Sequence, residues 1–264
     1  MPTAARQGSV DWFSFRRLHF WAAKRLIMVI GRVFLDESSS REPYVSGGWV
    51  AEHGAWDVIS KEWARVLDAD KPLRYFKLSE ALLLRGAFEN WTDTERDDKM
   101  IALASVLPHD DRLLQGLTCH MRKSDFDEVA KHLRRVFKSP YYFEMSALML
   151  KSPDLFPTLD KIDFVLDRDD CKRAERMRRL FYSKIKPVNE RFGECYTLCD
   201  KETMPLQAAD MLVGFMRQLD EQNPLPHKAT AQLSGVPTFK IDLNMTQLAA
   251  LMSKHRLLTH RFAG

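Results

Sequence analysis

The stretch Leu26-Ile-Met-Val-Ile-Gly-Arg-Val-Phe-Leu-Asp-Glu37 decides the fold. Its β-branched and aromatic residues read as a strand, and the strand runs out in two acids, Asp36 and Glu37. Ser38, Ser39, Ser40 and Pro43 supply turn chemistry, and Tyr44 to Ala51, YVSGGWVA, reads as a second strand. The pair is a hairpin. Gly47 and Gly48 inside it predict a bulge or a close approach of backbones. Side chains alternate across a strand, so Asp36 and Glu37 face opposite ways, and both can serve one site only if the strand bends. Asp36 is therefore the first candidate, and Glu37 either joins it or fixes the loop that follows.

Beyond the hairpin, the spacing predicts a helix over 56–67, with Ile59, Trp63, Val66 and Leu67 on one face. A short extended piece, Leu73-Arg-Tyr-Phe-Lys-Leu-Ser-Glu80, leads into another helix. A helix over 91–107 carries Thr92 and Glu95 as a capping box. A third strand is expected over 112–121, and helices over 124–136 and 140–150. Lys161 to Asp167 is a fourth strand that again ends at a carboxylate. A long charged helix over 169–189, a fifth strand over 194–198 and a closing helix over 244–254 complete the reading. Strands separated by helices predict one α/β domain over 26–264, built on a mixed sheet.

Residues 1–25 form an amino-terminal extension that mixes Trp12, Phe13, Phe15, Phe20 and Trp21 with basic residues and has no continuous apolar core of signal-peptide type. It reads as a short amphipathic helix, as a poorly ordered extension, or as sequence upstream of a natural start at Met28.

After the fifth strand, Met204-Pro-Leu-Gln-Ala-Ala-Asp-Met-Leu-Val-Gly-Phe-Met-Arg217 reads as a helix apolar almost all round. Pro205 suits its first turn. Leu206, Ala209, Val213 and Met216 share the core face, while Gln207, Asp210, Gly214 and Arg217 share the next stripe. A carboxylate so placed must lose water, which is costly unless a cation or strong donors meet it. Asp210 is thus half of a buried pair with an Arg, the cap of a neighbouring loop, or part of a larger carboxylate group.

Composition narrows the classes. Of 264 residues, 45% are hydrophobic and 29% charged, the balance of an ordinary globular chain. The net charge of +4 permits a phosphate-rich partner without demanding one. Cys119, Cys171, Cys195 and Cys199 form no C-x-x-C pair, which argues against zinc and for reduced thiols in a cytoplasmic protein. No apolar run reaches the roughly 18 residues that cross a membrane. There is no Gly-rich phosphate loop and no G-x-S-x-G elbow, and the histidines are dispersed.

The acids carry the chemistry. In open α/β sheets, sites form outside the carboxyl ends of adjacent strands. If the first and fourth strands are parallel neighbours, Asp36 and Asp167 come together, and the 204–217 helix brings Asp210 to the same edge. Like charges at close range call for a cation, and an oxygen-only set favours Mg²⁺ or Mn²⁺. Asp169 and Asp170 read as caps of the helix they precede. Glu80 reads as a solvated residue in a helix's first turn, and the preceding Tyr75, Phe76 and Lys77 make it a second-tier site candidate. Lys77, Lys201 and Arg217 are candidate phosphate contacts or plain salt-bridge partners.

Phe34-Leu-Asp-Glu-Ser38, Gly47-Gly48, Tyr75-Phe-Lys-Leu-Ser-Glu80, Phe164-Val-Leu-Asp167, Cys199-Asp-Lys201 and Pro205-Leu-Gln-Ala-Ala-Asp210, in this order, resemble the group known as domain of unknown function 3800. The resemblance spans about residue 28 to residue 217. It implies an RNase H-like fold, with a central five-stranded mixed sheet flanked by helices, and a metal-dependent nuclease-type site. Carried over, Asp36 and Glu37 match the first-strand acids, Asp167 the fourth-strand acid, and Gln207 and Asp210 the helix pair. Related sequences often read Phe-Asp-Glu where this chain has Leu166-Asp-Arg168, so the second acid is missing there.

The expectation is a Mg²⁺- or Mn²⁺-dependent phosphodiesterase acting on nucleic acid. Asp36, Asp167 and Asp210 hold the metals, Glu37 or Glu80 supplies a fourth carboxylate, and Gln207 orients a ligand or phosphate. The alternative is an inactive RNase H-like module that binds nucleic acid or a protein partner.

Overall fold

The computed structural model describes residues 28–250 apart from 41, 111, 132–138, 169, 222–226, 245, 248 and 249, and only the backbone of residues 129, 227 and 228. The extension over 1–25, Asp169 and most of the helix expected over 244–254 lie outside the described residues.

β1 (Ile30–Ser39) and β2 (Pro43–Glu52) form the expected antiparallel hairpin, with Leu35 opposite Gly48 and Asp36 opposite Gly47. The register runs unbroken through both glycines, so they mark a close approach and not a bulge. A methyl group on Gly48 would lie 1.7 Å from the Phe34 carbonyl oxygen. Backbone on a central strand has no room to retreat. Gly48→Ala is therefore expected to cost about 1–3 kcal/mol, read as a lower urea midpoint; an unchanged midpoint would show that the strands can part there.

α1 (His53–Asp68) buries Trp56, Ile59, Trp63, Val66 and Leu67, the predicted face. α2 (Leu78–Leu82) is a single short turn, and α3 (Asp93–Ala104) starts at the predicted capping box. There the Thr92 hydroxyl accepts from the Glu95 N–H at 3.2 Å, while the Glu95 carboxylate accepts from the Thr92 N–H at 2.7 Å. β3 (Gln115–Arg122) leads into α4 (Lys123–Ala130) and then α5 (Pro140–Leu155), which runs through Pro153. β4 (Lys161–Asp167) precedes α6 (Cys171–Leu180), capped by Asp170, whose carboxylate accepts from the Arg173 N–H at 3.1 Å. The long charged helix expected here is shorter. It loosens into a wider π-turn at Phe181–Ile185, followed by a tight turn at Lys186–Val188. β5 (Phe192–Leu198), α7 (Met204–Asp220), α8 (His227–Ser234) and β6 (Thr238–Leu243) follow.

Among the described residues the strands make one six-stranded mixed sheet in the order β5-β4-β1-β2-β3-β6. β2 lies antiparallel to β1 and β3, while β4 pairs parallel with β1, β5 with β4, and β6 with β3. The resemblance implied five strands. The sheet has a sixth, β6, paired on the β3 edge.

Alternating side chains divide the core. On one face, here the front, Phe34, Trp49, Ala51 and Val165 pack under α1, α3, α7 and α8. On the back, Val33, Leu35, Leu117, Cys119, Phe164 and Leu166 pack under α4, α5 and α6. Among the described residues no helix is long and apolar enough to cross a membrane.

Candidate functional site

β1, β4 and β5 are parallel neighbours that end on the same edge of the sheet. Leu35 pairs with Leu166. One residue further on, Asp36 and Asp167 therefore stand level on strands about 5 Å apart. Asp167 pairs in turn with Leu198 at the end of β5, and Asp200 follows in the turn towards α7. Three successive strands thus deliver an acid to one edge. α7 packs across the front of β1 and β2 and adds Asp210, whose carboxylate accepts from the Leu78 N–H at 2.6 Å.

These acids disturb one another. Burial holds the Asp36 carboxyl well above its ordinary range, and the charges of Asp210 and Asp167 push it further up. The Glu37 N–H, donating to Asp36 at 2.7 Å, opposes this. Asp210 is pushed up to about 6, first by burial; the Leu78 N–H and Lys77 oppose the rise, and the Asp200 and Asp167 charges add to it. Asp200 is buried and meets Lys77 Nζ at 2.6 Å. Among the described residues no group of three or more His, Cys, Asp or Glu side chains is placed to hold a metal ion. The acids are therefore gathered by the fold, but their side chains do not close around a common point.

Glu37 goes the other way. Alternation carries it to the back face, where its carboxylate pairs with Arg173 of α6, although its charge still adds slightly to the rise at Asp36. Burial pushes Glu37 up to about 7, Arg173 pulls it down and Asp167 pushes it up. The acids of one dipeptide thus serve two sides of the sheet.

Gln207 is fully buried and committed to the framework. Its oxygen accepts from Trp63 Nε1 at 3.0 Å and from the Phe76 N–H at 3.1 Å, and its amide donates to the Asp200 carbonyl at 3.0 Å. The expected role of orienting a phosphate gives way to that of tying α7 to the segments carrying Lys77 and Asp200. Glu80 is likewise held locally, accepting from the Tyr75 hydroxyl at 3.1 Å and the Ala87 N–H at 2.8 Å. It does not join the strand-end acids. Lys77 is an ion-pair partner of Asp200. Lys201 is exposed and sits over the Tyr75 ring. Arg217 donates to the Ser38 hydroxyl at 2.8 Å and pairs with Glu221 at 2.7 Å, which anchors it beside the end of β1.

Sequence reasoning missed Asp200. The sign was available, because Cys199-Asp-Lys201 follows the fifth strand as the other acids follow theirs. A cationic cleft of about 330 Å³ adjoins this region, lined by Lys77, Ser79, Glu80, Arg85, Gly86 and Lys201. No protein-family model matches the chain, and no curated protein matches it.

Proposed function

We propose that the chain is an RNase H-like, Mg²⁺- or Mn²⁺-dependent phosphodiesterase acting on nucleic acid. The observation that carries this reading is the edge where Asp36 follows the last β1–β4 pair, Asp167 ends β4, Asp200 stands in the turn after β5, and Asp210 joins them from α7. The five strands β5-β4-β1-β2-β3, mixed in direction and covered by helices on both faces, support the RNase H-like assignment, with β6 as an extension. Four unbridged thiols suit a reducing, cytoplasmic setting.

The donors fit a hard divalent cation in their chemistry. They are all carboxylate oxygens, and positive charge relieves the repulsion that lifts Asp36 and Asp210. Their spacing is not yet that of a ligand group, so ligation calls for side-chain rearrangement. Asp36, Asp167 and Asp210 would hold the ion. Bound there, Mg²⁺ or Mn²⁺ supplies Lewis-acid polarisation of a phosphoryl oxygen and makes water a stronger acid.

The remaining work belongs to the chain. Lys77 balances Asp200 and partly offsets the charge of Asp210. Arg85 and Lys201, exposed beside it, offer the cleft to a phosphate backbone, whose grip weakens with salt. Gln207 keeps both walls of this region in register.

A panel of labelled single-stranded DNA, duplex DNA, RNA and RNA–DNA hybrid decides the matter. Cleavage of at least one substrate with Mg²⁺ or Mn²⁺ is expected, and loss of it in chelator. Binding without cleavage under every condition would instead favour the non-catalytic module, a reading that the open spacing of the acids also supports.

A further inference from the structure

Behind the sheet, the floor of a small cavity is formed by the ends of the hairpin strands, and its roof by α5 and α6. Its volume is about 70 Å³, room for an ion and a few waters. Glu37, Ser39, Tyr44, Tyr141, Glu144 and Arg173 line it. Glu144 is 2% exposed, and one of its oxygens accepts from the Ser46 hydroxyl at 2.6 Å. Its other oxygen, Oε1, is buried with no hydrogen-bond partner among the described residues. Glu37 repeats the pattern: one oxygen meets Arg173, while Oε2 is buried without a partner. The register explains why they meet, since Glu37 lies opposite Ser46 on the same face.

A buried carboxylate oxygen with no donor is costly, and here the two residues that carry them line one cavity. Hydroxyls of Ser39 and Tyr44 stand at the same walls as further oxygen donors. When both carboxyls are ionised they outnumber the Arg173 guanidinium by one, and burial lifts both above their ordinary range while nothing among the lining residues neutralises both. The first turn of α5, which begins at Pro140, contributes a partial positive charge of about half a unit, too little to close the balance. A single positive charge would close it. A divalent ion would overshoot.

We propose that this cavity binds an alkali-metal cation, Na⁺ or K⁺, between Glu37 Oε2 and Glu144 Oε1, as a site separate from the front-face acids. The ion clamps β1 and β2 to α5 and, through Glu37 and Arg173, to α6. Its role is structural, and it stands whether or not the front edge cleaves nucleic acid.

The melting temperature of the full chain, measured at fixed pH and ionic strength in NaCl, KCl and tetramethylammonium chloride, tests this. A saturable rise of about 2–4 °C in NaCl or KCl over tetramethylammonium is expected. The rise should persist in the double variant Asp36→Asn/Asp210→Asn and vanish in Glu144→Gln. Equal melting in all three salts would overturn the site and leave Glu144 as a buried neutral acid. A rise that survives Glu144→Gln, or that disappears in the front-face double variant, would do the same. Should Glu144→Gln fail to fold, crystals of wild type soaked in Tl⁺ decide: an anomalous peak between the two free oxygens supports the site, and its absence removes it.

Discussion

Asp36→Asn is expected to stabilise the metal-free protein at neutral pH while removing the proposed metal-dependent cleavage. The stabilisation follows from the sign of the shift. Burial, Asp210 and Asp167 hold the folded-state pKa of Asp36 well above its ordinary value of 3.8. Whatever this carboxyl contributes to stability is therefore present in full below about pH 3.8 and is lost as pH rises through the folded value. Asn cannot ionise, so the variant escapes that loss. Asp210→Asn should behave alike, with the loss in wild type falling between 3.8 and about 6. A shift of that size corresponds to roughly 2–3 kcal/mol above pH 6. Calorimetry in chelator across pH 4–8 would show wild type weakening as pH rises and the variants weakening less. An Asn variant melting below wild type at pH 7 would sink the repulsion argument. The activity arm is larger. Removing a partner outside the ligand set already costs 10–100-fold in metal sites, so loss of a ligand should cost about 100-fold or more.

Gln207→Ala is expected to be the most destabilising single truncation at the site, by about 3–5 kcal/mol. It strands the Trp63 indole N–H, the Phe76 N–H and the Asp200 carbonyl in a buried setting. Each unsatisfied group costs about 1–3 kcal/mol, and neighbouring losses do not simply add. A urea midpoint that falls with an unchanged slope is the expected signature. A loss under about 1 kcal/mol would mean that water enters and replaces the amide. The variant should also loosen the Lys77–Asp200 pair, because Gln207 holds the backbone on both sides of it.

Much of this architecture was legible in local pattern. The hairpin, the capping box at Thr92 and Glu95, the buried face of α1 and the span of α7 all follow from periodicity and capping chemistry within one segment. Asp167 was legible because a strand that ends in an acid declares its edge, while β1 runs on past Asp36 to Ser39 and only its pairing with β4 stops at the acid. The split between Asp36 and Glu37 was legible too, as alternation alone requires it. What escaped depends on distant partners. Gln207 shares a helical stripe with Asp210, which suggested the site, yet its amide is claimed by Trp63 and Phe76 from elsewhere in the chain. Asp200 lies beyond its strand and reads as a turn former. Glu144 sits in a run of buried residues on α5 with only Ser46, on another element, to account for it. β6 carries apolar Phe239, Ile241 and Leu243 in alternation, but its other residues are exposed at a sheet edge, and the Pro-rich stretch before it hid a short signal.

The connectivity of the sheet also sets an order of assembly. β1 and β2 join as a short-range antiparallel hairpin, whereas β3 reaches β2 only after α1, α2 and α3, and β4 reaches β1 later still, after α4 and α5. Contacts that close long loops form late. Asp36 can therefore take its place in a nascent hairpin without feeling Asp167 or Asp210, and the mutual repulsion of the acids falls on the closing parallel pairings. The last strands to dock carry the electrostatic strain of the site, and a chain refolding in mild acid meets less of it.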